Sequence, residues 1–326
     1  MQTPQYVVTT TPHIRGPDTI ERTMLFVILA LAPASVLGVV FFGLRALVMV
    51  VVSVVSAVLA EYIYQKIAKK NVTITDGSAA LTGLLLALIM PPAAPLWMPA
   101  LGSVCAIVLV KQIFGGLGHN FLNPALAGRA ILVAAYALPM TMGFYEPFES
   151  GFFNLGVDIE TSATPLMLLS GEDFVLETGV MMSAFLGNIG GSIGETSAIA
   201  LLAGGLFLLV TKVITWHIPV SFVGTVFLLA FVFGPTADIA LYHVLTGGLL
   251  IGAFFMATDY PTSPISPLGK VIFGVGCGVI TYVIRTVGGY PEGVAYAILL
   301  MNLTVPLIDR FVRPKVFGKK KRRPAV

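Results

Sequence analysis

Long apolar stretches recur along the whole chain, and they constrain its fold more than any other feature. A helix needs about 20 mostly apolar residues to cross the hydrocarbon core of a bilayer. Only 11% of the residues are charged, whereas a soluble domain has about 25%. The sequence therefore predicts an all-α polytopic membrane protein. Its ten predicted segments are approximately 24–42, 46–64, 78–90, 96–113, 123–140, 197–214, 218–234, 240–257, 269–287 and 293–310.

The distribution of Lys and Arg predicts the orientation of these segments. With a cytoplasmic N-terminus, only Arg45 and Arg285 of the 19 basic residues fall outside, as the positive-inside rule requires. The loop 141–196 is then external, and it holds eight acidic residues and no Lys or Arg. The basic end of the chain, 319–323, indicates a cytoplasmic tail near anionic lipid and no nucleic-acid site. The predicted regions are the N-terminal cytoplasmic tail 1–23, five helices in 24–140, the external loop 141–196, five helices in 197–310 and the cytoplasmic tail 311–326.

The third segment is too short to cross a membrane alone. It has 13 residues, 78–90, before Pro91 and Pro92, which gives about 20 Å of helix. Half-helices of this kind are tolerated at membrane depth when protein surrounds them, as in transporter folds. A Leu-Thr-Gly motif occurs at 81–83 and again at 245–247, in the third segment of each set of five. The sequence thus predicts an inverted 5+5 repeat like that of urea transporters, unless the motif recurs by chance.

The external loop contains the most specific motif in the chain, Asp-Ile-Glu-Thr-Ser-Ala-Thr at 158–164. It resembles the flavin-attachment site of the RnfD and NqrB family, membrane subunits of the Rnf complex and of the sodium-pumping NADH:quinone reductase. The resemblance extends over essentially the full chain, and the missing long N-terminal extension favours RnfD. It implies that the phosphate of FMN is esterified to Thr164, with Asp158, Thr161, Ser162 and Ala163 around it. Ser162 stands where the family usually has Gly.

Thr164 has a second interpretation that needs no flavin. A Thr followed by Pro165 and an apolar run is a common helix start, in which the hydroxyl caps the first turn. Downstream, a glycine-rich run leads into the sixth segment, and glycines allow backbone N–H groups to approach a ligand closely. A flexible linker would also be rich in glycine. The resemblance implies that this run forms the wall of the FMN site, through Gly190, Gly191, Gly194, Glu195 and Thr196.

A second polar cluster precedes the fifth segment. Asn120 and Asn123 are three residues apart, a spacing that lets two amides face one ring with both donor and acceptor edges. The resemblance implies a second, noncovalent flavin here, riboflavin, on the cytoplasmic half, with Arg129 nearby. Helix capping by Asn before Pro124 explains the pattern equally well. The four histidines lack the spacing of metal ligands, so no metal site is predicted.

Acidic residues in or near the membrane are costly and often functional. Asp76, Asp259 and Asp309 are the candidates for coupling-ion ligands. Asp76 stands at the start of the predicted half-helix, where an N-cap role would also explain it.

The resemblance implies a flavin-carrying subunit of an ion-translocating ferredoxin:NAD oxidoreductase in a bacterial or archaeal cell membrane, with no catalysis by the chain alone. Its partners would be other membrane and peripheral subunits, including an external FMN-bearing subunit and iron–sulfur subunits. Only Cys105 and Cys277 are present, so this chain cannot hold a four-cysteine cluster by itself. Two alternatives remain: a solute channel or transporter of the urea-transporter type without redox function, and a passive scaffold within a redox complex.

Overall fold

The computed structural model describes residues 19–149, 151–154, 164–169, 178–288 and 292–313. In these ranges the chain is helical and contains no strand, so the predicted all-α class is confirmed. The helices are α1 Ile20–Ile67, α2 Ser78–Leu88, α3 Trp97–Cys105, α4 Pro124–Ala135, α5 Ala137–Thr141, α6 Pro165–Leu169, α7 Thr178–Leu186, α8 Ala198–Val210, α9 His217–Phe233, α10 Ala237–Leu245, α11 Leu249–Ile251, α12 Pro267–Val287 and α13 Val294–Phe311. α3 continues as a π-helical turn, Ala106–Gln112, and α11 continues as another, Gly252–Met256.

Three of the described helices are long and apolar enough to cross a membrane, namely α1, α12 and α13. The pair α10 and α11 forms a fourth span if its 63° bend is counted within one crossing. Five further apolar helices are shorter. Each predicted segment coincides with a helical stretch, but several of these stretches are broken or shorter than a full crossing requires.

The first two predicted segments form one long element with a break at Gly43. This glycine has φ 73° and ψ −162°, a conformation that side chains with a Cβ rarely adopt. The break receives the loop at 151–154, since Leu44 N donates to Phe152 O at 2.7 Å. A Cβ on Gly43 would lie 2.8 Å from the same oxygen. The loop that follows α5 is therefore bound to the kink of α1.

The short helix α2 is confirmed as an 11-residue element. Asp76 Oδ1 accepts hydrogen bonds from Ser78 N at 2.8 Å and from Ser78 Oγ at 2.6 Å, so this carboxylate caps the helix start. The helix ends just before Pro91, and it packs closely against α1. A Cβ on Gly83 would lie 2.8 Å from Ser53 O, which explains why a small residue stands at this crossing.

The predicted internal repeat is not confirmed. Gly83 lies within α2, whereas Gly247 lies with φ 66° in the break between α10 and α11. The two Leu-Thr-Gly motifs therefore occupy different local structures. The inverted 5+5 arrangement stays a prediction.

Two buried arginines bind the carbonyl groups that the broken helices leave free. Arg45 Nε donates to Pro92 O at 3.0 Å, and its Nη2 donates to the carbonyls of residues 93 and 94. Arg285 Nη1 donates to His243 O at 2.6 Å and its Nη2 to Thr246 O at 3.3 Å, at the end of α10. These are the two basic residues that the positive-inside pattern placed outside, and both are engaged with backbone. Their guanidinium groups therefore bind backbone carbonyls within the protein.

Two candidate cofactor cavities

Thr164 is buried at the first turn of α6. Its Oγ1 accepts a hydrogen bond from Met167 N at 3.4 Å, so the capping interpretation of this residue is correct in geometry. The side chain is only 6% exposed, and it borders two adjoining cavities of about 540 and 310 Å³, open mouths included. Its hydroxyl therefore lies inside the protein and not on the surface of the loop.

Three charged side chains converge beside Thr164. Arg129, from the second turn of α4, lies between Glu195 of the loop before α8 and Glu292 just before α13. Arg129 Nη1 is 3.6 Å from Glu195 Oε1, and Nη2 donates to Glu292 Oε2. Glu292 borders both cavities, Arg129 the larger and Glu195 the smaller. One guanidinium thus pairs with two carboxylates at a buried site. A second arginine also contacts this cluster, because Arg285 Nε donates to Glu292 O at 3.3 Å.

Glu195 presents an acceptor that the described residues leave unused. Its side chain is 4% exposed, and Oε1 has no hydrogen-bond partner in the described part of the chain. Gly248 makes room for this oxygen, because a Cβ there would lie 2.5 Å from it. Buried polar atoms nearly always have a hydrogen-bond partner, so this oxygen, which has only the ion pair with Arg129, could accept a hydrogen bond from a group in the cavity.

Four of the five residues predicted to form the wall of the FMN site lie at the smaller cavity beside Thr164. The smaller cavity is bordered by Gly190, Gly191, Glu195 and Thr196. Gly194 is instead packed against α2, where a Cβ would lie 2.6 Å from Leu88 Cβ. The predicted residues Asp158, Thr161, Ser162 and Ala163 lie outside the described residues.

A third cavity lies where the starts of α1, α2 and α4 meet the ends of α8 and of both π turns. We call it the inner cavity; it measures about 740 Å³ including its mouth. Asn120, Asn123 and Asp259 border it. Asn123 is fully engaged, since Oδ1 caps α4 by accepting from Ala125 N and Nδ2 donates to Met256 O. Asn120 Oδ1 is buried without a partner among the described residues, so only this amide has an unused acceptor.

The placement of Arg129 corrects the sequence analysis. It does not border the inner cavity with Asn120 and Asn123; it borders the larger cavity at Thr164. The reason is helical rise: six residues along α4 separate Asn123 from Arg129, which is about 9 Å. The two sites therefore share α4. Asn123 caps its start at the inner cavity, and Arg129 lies in its second turn at the larger cavity.

The sequence analysis missed an ion pair next to the inner cavity. Lys111 Nζ donates to both oxygens of Glu61, at 3.0 and 2.8 Å, and to Ser78 Oγ at 2.6 Å. Gln65 and Gln112 also donate to the Glu61 carboxylate. Lys111 was predicted as a cytoplasmic charge, but its side chain is only 2% exposed. The only sequence signal was the acid itself at 61, inside an apolar segment.

The three coupling-ion candidates lie in different surroundings. Asp76 caps α2, as described above. Asp259 lies in the loop before α12 and accepts from Thr262 Oγ1 at 3.2 Å. Burial raises the pKa of the Asp259 carboxyl to about 6, while the Thr262 hydrogen bond and the charge of Lys111 oppose the rise. Asp309 accepts from Ile265 N at 3.1 Å and borders none of the three cavities.

Comparison with known proteins identifies the group to which this architecture belongs. The model of the NQR2, RnfD, RnfE family matches residues 7–318. The chain belongs to this family. The resemblance to RnfD is thereby confirmed over nearly the whole length, well beyond the motif that first indicated it.

Three relatives place the chain within the family. The D subunit of the proton-translocating ferredoxin:NAD(+) oxidoreductase complex of Clostridium ljungdahlii is 46% identical over 97% of each chain. The D subunit of the Na(+)-translocating ferredoxin:NAD(+) oxidoreductase complex of Acetobacterium woodii is 44% identical over 96% of each chain. The D subunit of the ion-translocating oxidoreductase complex of Escherichia coli strain SE11 is 38% identical over 96% of this chain and 99% of that one. In all three comparisons the similarity covers at least 96% of both chains.

Proposed function

We propose that this chain is the flavin-carrying membrane subunit of an Rnf-type ion-translocating ferredoxin:NAD oxidoreductase. FMN is attached through its phosphate to Thr164, and a second, noncovalent flavin, riboflavin, occupies the inner cavity. Electrons arrive from an external FMN-bearing partner, pass from the first flavin to the second, and leave toward cytoplasmic subunits. The names of the three relatives support the complex, and the motif at 158–164 supports the attachment.

The observation that carries the proposal is the position of the Thr164 hydroxyl. It lies at the junction of two cavities that are also bordered by Arg129 and by Glu195, whose Oε1 has no hydrogen-bond partner among the described residues. A phosphodiester is anionic, and arginine guanidinium groups bind such anions well. Arg129 borders the larger cavity, and Arg285, which donates to Glu292 O, adds a second positive charge to the cluster. A flavin ring also carries an N–H donor, for which Glu195 Oε1 is an available acceptor. The residues present therefore fit the group.

The chain's own role is to place and surround the two flavins, which supply the electron transfer when bound. Arg129 sets the charge near Thr164, and burial at 6% exposure keeps the attachment point out of bulk water. In the inner cavity, Asn120 Oδ1 offers the unused acceptor. Because α4 contributes to both sites, the two flavins would be held a short distance apart. Iron–sulfur clusters would come from partner subunits, since this chain has two cysteines.

Two relatives with nearly equal identity to this chain are named for different coupling ions. The Clostridium relative is named for protons and the Acetobacterium relative for sodium, yet their identities to this chain are 46% and 44%. Asp259, beside the inner cavity, is the candidate we favour among the three acids. Asp76 and Asp309 are already occupied by backbone N–H groups.

The decisive experiment is a test for covalent flavin. The full-length protein, expressed together with a flavin transferase and run on a denaturing gel, should fluoresce, and Thr164→Ala should abolish the signal. Thr141→Ala is the matched control: Thr141 borders the same cavity, but its hydroxyl donates to Ala137 O at 2.8 Å. The control should keep its fluorescence.

Two results would overturn the proposal. Fluorescence that persists in Thr164→Ala would refute the attachment site, and a dark wild-type band would refute the flavin function and favour a channel. A scaffold would be indicated if the complex with Thr164→Ala assembled and kept its ferredoxin:NAD activity. Extraction of the native protein with acid, followed by mass spectrometry, should release riboflavin from the inner cavity.

A further inference from the structure

Lys111 is a buried cation whose position the proposed electron path leaves unexplained. It projects from the π-helical turn after α3 and is 2% exposed. All three donors of its ammonium are directed to oxygens, two on Glu61 and one on Ser78. Removing a charge of this kind from water costs several kcal/mol, so a buried pair is weak evidence for stability alone.

The pair is arranged asymmetrically with respect to the inner cavity. Lys111 and Ser78 border the cavity, whereas Glu61 lies behind them. Gln65 Nε2 and Gln112 Nε2 hold the carboxylate in place by donating to Glu61 Oε1, at 3.1 and 2.8 Å. The positive end of a fixed dipole therefore faces the cavity. Among its described lining residues, Lys111 is the sole cation and Asp259 the sole carboxylate.

We propose that Lys111 is a positioning residue for charge: it holds a positive potential against the group bound in the inner cavity and makes that group easier to reduce. Glu61 fixes the ammonium at the cavity wall. This inference rests on the second flavin of the proposed function. The step it governs is the gain of one electron by that flavin from the flavin on Thr164. No bond forms or breaks, and Lys111 keeps its proton.

The physical argument is one of distance and dielectric. A charge that borders a water-poor cavity acts on its contents at a much lower effective dielectric constant than bulk water. The partner carboxylate is farther away, so it cancels only part of this field. The opposing charge of Asp259 lies on the loop before α12. Because Lys111 lowers the pKa of this carboxyl, which is about 6, all titrations are run at one alkaline pH, where Asp259 is ionised in every variant used below.

The test is a redox titration of the noncovalent flavin. We would purify the full-length protein in the Thr164→Ala background, so that the noncovalent flavin is the only one present. Three variants change the dipole: Glu61→Gln, Lys111→Met, and the two together. The double variant is included because Lys111→Met alone leaves an unpaired buried carboxylate, which opposes folding. Lys270→Met is the control, since Lys270 Nζ donates to Thr215 Oγ1 at an exposed position.

The expected order of midpoint potentials is Glu61→Gln above the background protein and the double variant below it. Lys111→Met, where it folds, should lie lowest. For the double variant we expect at least a tenfold shift of the one-electron equilibrium toward the oxidised form, which corresponds to about 59 mV. Lys270→Met should leave the potential unchanged.

Failure of this inference is distinct from failure of the proposed function. If the background protein contains no noncovalent flavin, the second flavin site is wrong. If the flavin is present and the double variant retains it at an unchanged potential, the role of Lys111 is refuted. Loss of the flavin from a folded double variant would also refute it, because Lys111 would then be needed for binding.

Discussion

At the residue scale, buried polar groups stabilise the helix breaks and form the charged cluster beside Thr164. Arg45 and Arg285 each satisfy carbonyls at a helix break, and Arg129 joins two carboxylates beside Thr164. Unsatisfied groups of this kind cost several kcal/mol inside a membrane, where water cannot replace the lost partner. Each of these arginines therefore binds several acceptors at once through the planar set of N–H donors that a lysine or a glutamine lacks.

Arg45→Met should destabilise the protein strongly. The change leaves the carbonyls of residues 92–94 buried and unpaired, at about 1–3 kcal/mol each. We expect the thermal midpoint of the detergent-purified protein to fall by many degrees. Arg22→Met is the control, because Arg22 is exposed at the start of α1. Equal midpoints for the two variants would contradict the assigned role.

Glu195→Gln should make the flavin at Thr164 easier to reduce. Burial and the charge of Glu292 raise the pKa of the Glu195 carboxyl to about 8. At a pH above that value the substitution therefore removes one buried negative charge near the cavity, keeps the side-chain shape and leaves the attachment hydroxyl intact. A spectroscopic titration of the covalent flavin should show a higher midpoint potential. Glu149→Gln, at an exposed position of the outer loop, should not change it. A lower potential in Glu195→Gln would show that the carboxylate does not act through its charge.

Residue patterns predicted part of the site and missed the rest for identifiable reasons. Thr164 was grouped with the glycine-rich run by the family resemblance, because each motif alone also fits a helix cap or a flexible linker. Arg129 and Glu292 are 163 residues apart, and Lys111 and Glu61 are 50 apart. Pairings at such separations depend on helix depth and rotation, which a single sequence does not specify.

At the element scale, the ends of helices define the cavities. α1, α2 and α4 begin around the inner cavity, while the starts of α6 and α13 and the loop before α8 surround Thr164. Apolar length and proline positions predicted these elements well. The predicted boundary between the segments 24–42 and 46–64 coincides with the break at Gly43. The two π turns and the bend between α10 and α11 were not predicted, because each depends on contacts with another part of the chain.

Gly83→Ala should loosen the packing of α2 on α1. The added methyl group would lie 2.8 Å from both Ser53 O and Val54 Cα, so the helices must separate. A fall in thermal midpoint and a loss of flavin from the inner cavity should follow. Gly224→Ala is a closely matched control in α9, where an added Cβ meets nothing within 4 Å. If both variants behaved alike, close helix approach would not be the reason for Gly83.

At the scale of the whole molecule, the two proposed flavin sites lie toward opposite ends of α4. The charge pattern predicts that the inner cavity opens to the cytoplasm and that the Thr164 site lies toward the outside. The orientation in the membrane is therefore a prediction open to a direct test.

Single cysteines should report the orientation. With Cys105 and Cys277 replaced by Ser, Lys69→Cys should react with a membrane-impermeant maleimide only in inverted vesicles, and Phe153→Cys only in intact cells. Both positions are exposed, and Phe153 is 82% accessible. Labelling of both from the same side would contradict the predicted topology.

The shared helix α4 has one more consequence. Because Asn123 and Arg129 are joined by a continuous stretch of regular backbone, their separation is set by covalent geometry and hydrogen bonding alone. Changes in bilayer thickness, lipid composition or temperature that tilt the surrounding spans leave this spacing unchanged. Tunnelling rates fall steeply with distance. A fixed spacing along α4 would therefore keep the rate of the proposed electron transfer between the two flavins constant across the membranes in which the protein works.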